Sequence, residues 1–284
     1  MIKKLAIGII TLLRLPYWMM TGGLSLLTAF AITPTIPDAS TLILIFFSMA
    51  CISSAGFSIN DYFDKESDAI IKPKRPIPSG MLSSKQVIVI SFFLFSLGLL
   101  LAFLINWLSF TILLVDSLLL IVYSVFVKRQ SGLVANILVG LLGGTAFLYG
   151  EAAIFETVSL LSLSLFPISF GTIGGNILRD IFSLEGDSKV GYQTLPRKIG
   201  DKKSIRLASF FFIMTALFAP LPFLLQFFDV YYLIFIVMWG ILLVYSSIRL
   251  QTSIPTYEYV RKYERLITRS MVFLLLSLVI EAVI

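Results

Sequence analysis

The sequence predicts an all-α integral membrane protein, one domain over residues 1–284 folded as a bundle of nine transmembrane helices. Three observations carry this expectation. Hydrophobic residues make up 58% of the chain and charged residues 13%, against about 45–50% and 25% in soluble domains. The apolar residues lie in long unbroken runs, whereas barrel strands would give short alternating segments. All 22 Lys and Arg residues fall in alternate connections between those runs, the asymmetry that sets membrane orientation.

A membrane-crossing helix needs about 20 apolar residues. Nine runs qualify: Leu12–Ala31, Leu42–Asn60, Val87–Ile105, Phe110–Val127, Leu133–Gly150, Val158–Leu178, Ile205–Phe227, Tyr231–Leu250 and Ile267–Val283. The segment before Arg14 reads as lying along the surface and turning inward at Pro16, whose ring suits the start of a helix. The basic connections are the N-terminal segment and the loops after the second, fourth, sixth and eighth runs. Positive charge stays inside, so the N-terminus is expected in the cytoplasm and the C-terminus outside. The opposite connections, Thr33–Asp38, Asn106-Trp107, Glu151–Glu156 and Asp229, read as turns. No cleavable-signal pattern follows the basic Met1–Lys4 stretch.

Composition also excludes chemistry. The chain has no histidine and one cysteine, Cys51. Histidine general bases, His-ligated haem or zinc, thiolate metal sites and a disulfide framework are therefore ruled out.

The polar residues that remain are patterned. Asn60, Asp64 and Asp68 recur every four residues at the end of the second run, with Asp61 beside them. Helical spacing puts such residues on one face. A second row, Asn176, Asp180, Ser183 and Asp187, follows the sixth run at offsets of four, seven and eleven. A carboxylate in a membrane helix costs about 2.5–3.5 kcal/mol at the bilayer centre, so a cation is expected to offset it. Each row opens a long basic, proline-marked loop: Lys72-Pro73-Lys74-Arg75-Pro76 in one, Leu195-Pro196-Arg197-Lys198 in the other.

Carboxylates and amides are hard oxygen ligands. They suit Mg2+, which binds through one or two carboxylates plus substrate phosphates. Two rows facing each other could hold two Mg2+ around one diphosphate, with Arg75, Lys128, Arg129 and Arg197 neutralising the remaining charge. Metal and cations would make that diphosphate a leaving group. With an apolar cavity alongside, the reaction becomes ionisation of a prenyl diphosphate and alkylation of a second lipid-soluble molecule. Asp116 lies mid-run, where a lone acid is a functional candidate; it could orient an acceptor hydroxyl. A rival reading takes the acidic rows as the path of an ion-coupled transporter. Transporter sites, however, sit near the midplane on broken helices, and these acids cluster at one face among basic loops.

The first row resembles the N-D-x-x-D-x-x-x-D signature of the UbiA superfamily of intramembrane prenyltransferases. The second, Asp180-Ile181-Phe182-Ser183-Leu184-Glu185-Gly186-Asp187, resembles that family's D-x-x-D-x-E-G-D, with Ser183 in place of the middle carboxylate. The resemblance covers nearly the whole chain. It implies Asn60, Asp61, Asp64, Asp68, Asp180 and Asp187 as Mg2+ ligands, with Glu185 a further candidate. It also implies Asp64, Asp68, Asp180, Asp187 and Lys128 as the catalytic set, Lys128 following a Tyr123-Ser124 pair typical of the family. Arg14, Asn176, Asp116, Ser183 and Tyr123 are left as acceptor-side or unassigned positions. The Arg75–Gly80 stretch, Arg-Pro-Ile-Pro-Ser-Gly, resembles the archaeal digeranylgeranylglyceryl phosphate synthases and the chlorophyll synthases. The first branch implies transfer of a geranylgeranyl group to geranylgeranylglyceryl phosphate, making an ether lipid; a chlorophyllide or an aromatic quinone precursor is the alternative acceptor. Either way the partners are a prenyl diphosphate, a lipid-soluble acceptor and the bilayer, with no nucleic acid, and the site is expected at the cytoplasmic face of a multi-pass cell-membrane protein.

Overall fold

The apolar runs become helices because, without water, a single segment can satisfy its backbone N–H and C=O groups internally only as a helix. The computed structural model describes residues 2–33, 36–252 and 256–283; part of the expected Thr33–Asp38 turn lies outside them. The helices are α1 (Ile2–Leu13), α2 (Leu15–Ala31), α3 (Ala39–Phe63), α4 (Lys65–Ile71), α5 (Ser84–Ile105) and α6 (Trp107–Val122). A π-helical turn, Tyr123–Val127, leads into α7 (Lys128–Gln130) and α8 (Gly132–Phe155). Then come α9 (Leu160–Leu165), a 3-10 turn at Phe166–Ser169, α10 (Phe170–Lys189), α11 (Leu195–Ile199), α12 (Asp201–Phe218) and α13 (Leu221–Leu224). The chain ends in α14 (Val230–Thr252), α15 (Tyr257–Ser270) and α16 (Val272–Glu281).

The helix starts carry their own signals. Ser83 and Gln86 form a reciprocal capping box on α5, satisfying two donors that the helix leaves open. Asn106 accepts the Ser109 N–H at 2.7 Å and donates to the Ala152 carbonyl at 2.8 Å, so one side chain caps α6 and ties it to α8.

Among the described residues, seven helices are long and apolar enough to cross a membrane, or eight if α1 and α2 count as one bent span. The multi-pass reading stands, but the expected count of nine does not follow. Hydropathy joined Ile267 to Val283 across a break at Met271, and α16 beyond it has 10 residues, about 15 Å at 1.5 Å per residue. That is half a bilayer core. The preceding α15 carries Glu258, Arg261, Lys262, Glu264, Arg265 and Arg269 and is strongly amphipathic. At the other end of the chain the inward turn falls at Arg14 rather than Pro16: α1 and α2 meet at 45°, and Arg14 adopts φ 52°, unusual for a residue other than glycine.

The long helices pack in sequence, α3 on α5, α5 on α6, α6 on α8, α8 on α10, α10 on α12 and α12 on α14. α16 closes the ring against α14 and α2, and α2 packs across it on α8. Buried Leu, Ile and Phe side chains fill the interior, while Val89, Phe92, Phe93, Leu100 and Phe103 of α5 are exposed. An apolar surface of that extent needs an apolar solvent.

The basic connections meet at one end of the bundle. The Gly132 N–H donates to the Gln193 carbonyl at 2.8 Å, Lys198 Nζ reaches the Gln130 carbonyl at 3.4 Å, and α4 packs on α10. At the other end, Glu151 accepts from the Ser159 N–H at 2.8 Å, and Glu281 from the Asp229 N–H at 3.0 Å. The alternation read from charge is thus an alternation in space.

Candidate active site

The first row straddles a helix junction. Asn60 and Asp61 close α3, Asp64 is the junction residue, and Asp68 lies in the first turn of α4. Asp61, Asp64 and Asp68 are only 2%, 6% and 3% exposed, so each carboxylate requires a partner. Asp64 pairs with the Lys128 ammonium through Oδ2, which also accepts from Asn60 Nδ2 at 2.7 Å. Asp61 pairs with Arg14 and takes Arg75 Nη1 on both oxygens at 3.0 Å. Lys72 stands 3.4 Å from Asp68.

Burial works against the charge on Asp64, but Lys128, Lys72 and Asn60 outweigh it and hold its carboxyl below the usual carboxylate range. For Asp68 burial dominates, and its pKa is pushed up despite Lys72 and Arg75.

Lys128 reaches Asp64 because of the π turn. Five residues of π-helix, Tyr123–Val127, widen the end of α6 before α7; such turns are commonly found at functional sites. Tyr123 lies within electrostatic reach of Lys128, Asp64, Asp180 and Asp187 together, which makes it a common neighbour of both rows.

The second row runs along α10. Asp180 accepts from Asn136 Nδ2 of α8 at 2.8 Å. Asp187 accepts from Ser67 Oγ of α4 at 2.8 Å. The rows can touch because Gly186 has no side chain: a Cβ there would stand 2.6 Å from Ile71 Cγ2 and 3.1 Å from Ser67 Oγ. Ser183 Oγ turns back to the Asp180 carbonyl at 3.4 Å, and Asn176 accepts from Arg179 at 3.1 Å.

Three of the expected positions stand apart. Asp116 bonds to Thr145 Oγ1 at 2.6 Å; it is twelve residues before Lys128, about 18 Å along a helix. Glu185 is exposed and paired with Lys189 at 2.8 Å. Arg197 donates to the Tyr192 carbonyl at 3.0 Å. Arg129 rests over the Tyr192 ring at 5.9 Å and helps line an outer cavity of about 420 Å3 with Tyr62, Lys65, Glu66 and Gly191.

Sequence reasoning missed Ser67, Asn136 and Tyr192. Ser67 falls seven residues after Asn60, on the same face, and Asn136 is an amide in an apolar run, so both left a signal. Tyr192 left none. It is 5% exposed. Its hydroxyl lies 3.2 Å from both Asp64 Oδ1 and the Phe63 carbonyl, and burial pushes its pKa up to about 12, so it stays a donor.

Among the described residues no three acidic side chains converge on one metal-sized point; Asp61, Asp64 and Asp68 each pair with a cation, and Asp180 and Asp187 with Asn136 and Ser67. The donor set nonetheless fits Mg2+. It is all oxygen, and Asn60 Oδ1 is buried with no hydrogen-bond partner, an open acceptor beside Asp64 of the kind a hard cation satisfies.

A helical membrane bundle with two facing acidic rows and a lysine between them has a family. Residues 19–261 match the model of the UbiA prenyltransferase family, and the chain belongs to that family. Within it the chain is 33% identical over 81% of its length to the digeranylgeranylglyceryl phosphate synthase of Natronomonas pharaonis, spanning 82% of that protein. It is 34% identical over 87% of its length to the synthase of the same name from Methanocaldococcus jannaschii, spanning 86% of it. A solved structure of a digeranylgeranylglyceryl phosphate synthase superposes with a TM-score of 0.80 at 30% identity, over 99% of each chain. A UbiA homologue from Archaeoglobus fulgidus, bound to GPP and Mg2+, shares the fold with a TM-score of 0.66 at 16% identity, over 94% of this chain and 97% of that one.

Proposed function

We propose that this protein transfers the geranylgeranyl group of its diphosphate to the free glycerol hydroxyl of geranylgeranylglyceryl phosphate, in a Mg2+-dependent reaction at the cytoplasmic face of the membrane. The observation that carries this reading is the meeting of the two acidic rows around Lys128, at the end of the bundle where the basic loops gather. The relatives' names supply the acceptor.

Asn60, Asp64, Asp68, Asp180 and Asp187 are the residues that would hold Mg2+. Bound there, Mg2+ would supply Lewis-acid stabilisation of the charge that develops on the diphosphate. Asp61 belongs with them by position, but both its oxygens are engaged by arginine; its role is to hold Arg14 and Arg75 at the site. Lys128 is a counter-ion for Asp64 until a phosphate oxygen competes for it, and Arg75 is the second cation placed to receive the diphosphate.

The allylic C–O bond breaks with its electron pair going to the diphosphate. The glycerol hydroxyl oxygen then bonds to the allylic carbon and loses its proton to a released phosphate oxygen. An allylic cation needs little help from its nucleophile, so a histidine-free chain suffices. The acceptor's phosphate would remain among the basic loops while its tail enters the bilayer, an arrangement suited to a surface that attracts anionic lipid headgroups.

The test is competition. Purified protein is given geranylgeranyl diphosphate, Mg2+ and an equal mixture of geranylgeranylglyceryl phosphate, chlorophyllide and 4-hydroxybenzoate. The ether lipid is the expected main product. A prenylated chlorin or aromatic would move the protein to another branch of the same family.

A further inference from the structure

Tyr192 touches Asp64, Lys128 and the Asp187 backbone and yet belongs to neither acidic row. It sits in the loop after α10, where its backbone N–H donates to the Asp187 carbonyl at 2.8 Å. Its hydroxyl has one proton and two acceptors at 3.2 Å, Asp64 Oδ1 and the carbonyl of Phe63 at the α3–α4 junction. The Lys128 ammonium lies 5.5 Å from its ring centroid and the Arg129 guanidinium 5.9 Å, both within cation–π range. Its own carbonyl accepts from Arg197 at 3.0 Å.

These contacts divide the work on Asp64. Asn60 and Lys128 hold Oδ2, and Tyr192 is the described donor to Oδ1. Once Lys128 turns toward a phosphate, Oδ2 loses its strongest partner. The Tyr192 hydroxyl then keeps the carboxylate plane from rotating, because its other end is anchored in the second loop. The same ring gives Lys128 a second place to rest when it leaves Asp64.

We infer that Tyr192 is the positioning residue that sets the geometry of Asp64 and Lys128 from the opposite loop, so that the first row assumes its binding arrangement only when the second is in place. This rests on the prenyltransferase reading, and the experiment separates the two.

Calorimetry measures binding of the unreactive geranylgeranyl thiolodiphosphate to the full-length protein in detergent, across a Mg2+ series. Wild type, Tyr192→Phe and Tyr192→Leu are compared, with thermal melting as control. Tyr192→Phe keeps the ring and loses the hydroxyl. Its half-saturating Mg2+ concentration is expected to rise about tenfold, the equivalent of one hydrogen bond to a charged group, with melting unchanged. Tyr192→Leu also removes the seat for Lys128 and should weaken affinity for the analogue at saturating Mg2+. In turnover assays with geranylgeranylglyceryl phosphate, Tyr192→Phe should lower kcat more than it raises KM for the diphosphate. A Tyr192→Phe protein with the wild-type Mg2+ requirement overturns the assignment, as does a loss matched by a fall in melting temperature. If wild type itself fails to bind the analogue with Mg2+, the prenyltransferase reading falls and takes this one with it.

Discussion

Ser67 Oγ donates to Asp187 Oδ1 over 2.8 Å, although 120 residues separate them in the chain. Both are buried, and the contact is where the two acidic rows meet. It depends on the bare backbone of Gly186 against Ile71. Replacing Ser67 with Ala should leave the fold intact and free Asp187 to rotate. The expected result is a rise of about five- to tenfold in half-saturating Mg2+, within the worth of one charge-assisted hydrogen bond. An unchanged Mg2+ titration would show that Asp187 is held by other means.

Asp64 is buried and Lys128 partly so, and removing Lys128 strands the carboxylate. Lys128→Met should melt at a lower temperature than wild type, since an unpaired buried charge costs about 3–5 kcal/mol. The double variant Lys128→Met with Asp64→Asn should recover most of that stability and none of the activity. Asp64→Asn alone, like Asp180→Asn, should abolish turnover while the protein remains folded and inserted. Activity within a few-fold of wild type in either single carboxylate variant would remove the metal role from that residue.

Ser183 and Glu185 were both read from the second motif, and the structure separates them. Glu185 faces water beside Lys189, so Glu185→Gln should leave kcat and KM within about twofold, as expected of an exposed pair. Ser183 lies between Asp180 and Asp187 on α10, in the row proposed to hold Mg2+. Ser183→Asp should be tolerated, with half-saturating Mg2+ equal to or below that of wild type. A large rise would mean that Ser183 faces a part of the site that cannot accept charge.

Metal removal gives a further check. The proposed ligand atoms are all oxygens, so EDTA should stop turnover, Mg2+ should restore it, and Zn2+ should be a poor substitute. Turnover that survives exhaustive chelation would argue for a metal-free mechanism.

The acidic rows were legible in the sequence because spacing of four residues fixes a helix face whatever the rest of the chain does. Lys128 and Arg75 were legible as charges at the same end of the bundle. Their partners were not, because pairing depends on how closely helices approach. Gly186 decides that for α4 and α10, and the π turn decides it for Lys128; neither leaves a periodic signal. Tyr192 looked like any loop aromatic. The expected last span is not confirmed, for the opposite reason. The charges of α15 were visible, but an apolar run starting at Ile267 carried the helix reading across the break at Met271.

Mg2+-dependent ether formation is read straight from the mass of the product. Purified protein in lipid nanodiscs is incubated with geranylgeranyl diphosphate, geranylgeranylglyceryl phosphate and Mg2+, and the lipids are analysed by mass spectrometry, with Asp64→Asn as control. The expected product is a glycerol phosphate lipid carrying two geranylgeranyl ethers, absent from the control and from EDTA-treated samples. Unaltered acceptor alongside intact diphosphate, or the same product from Asp64→Asn, would contradict it.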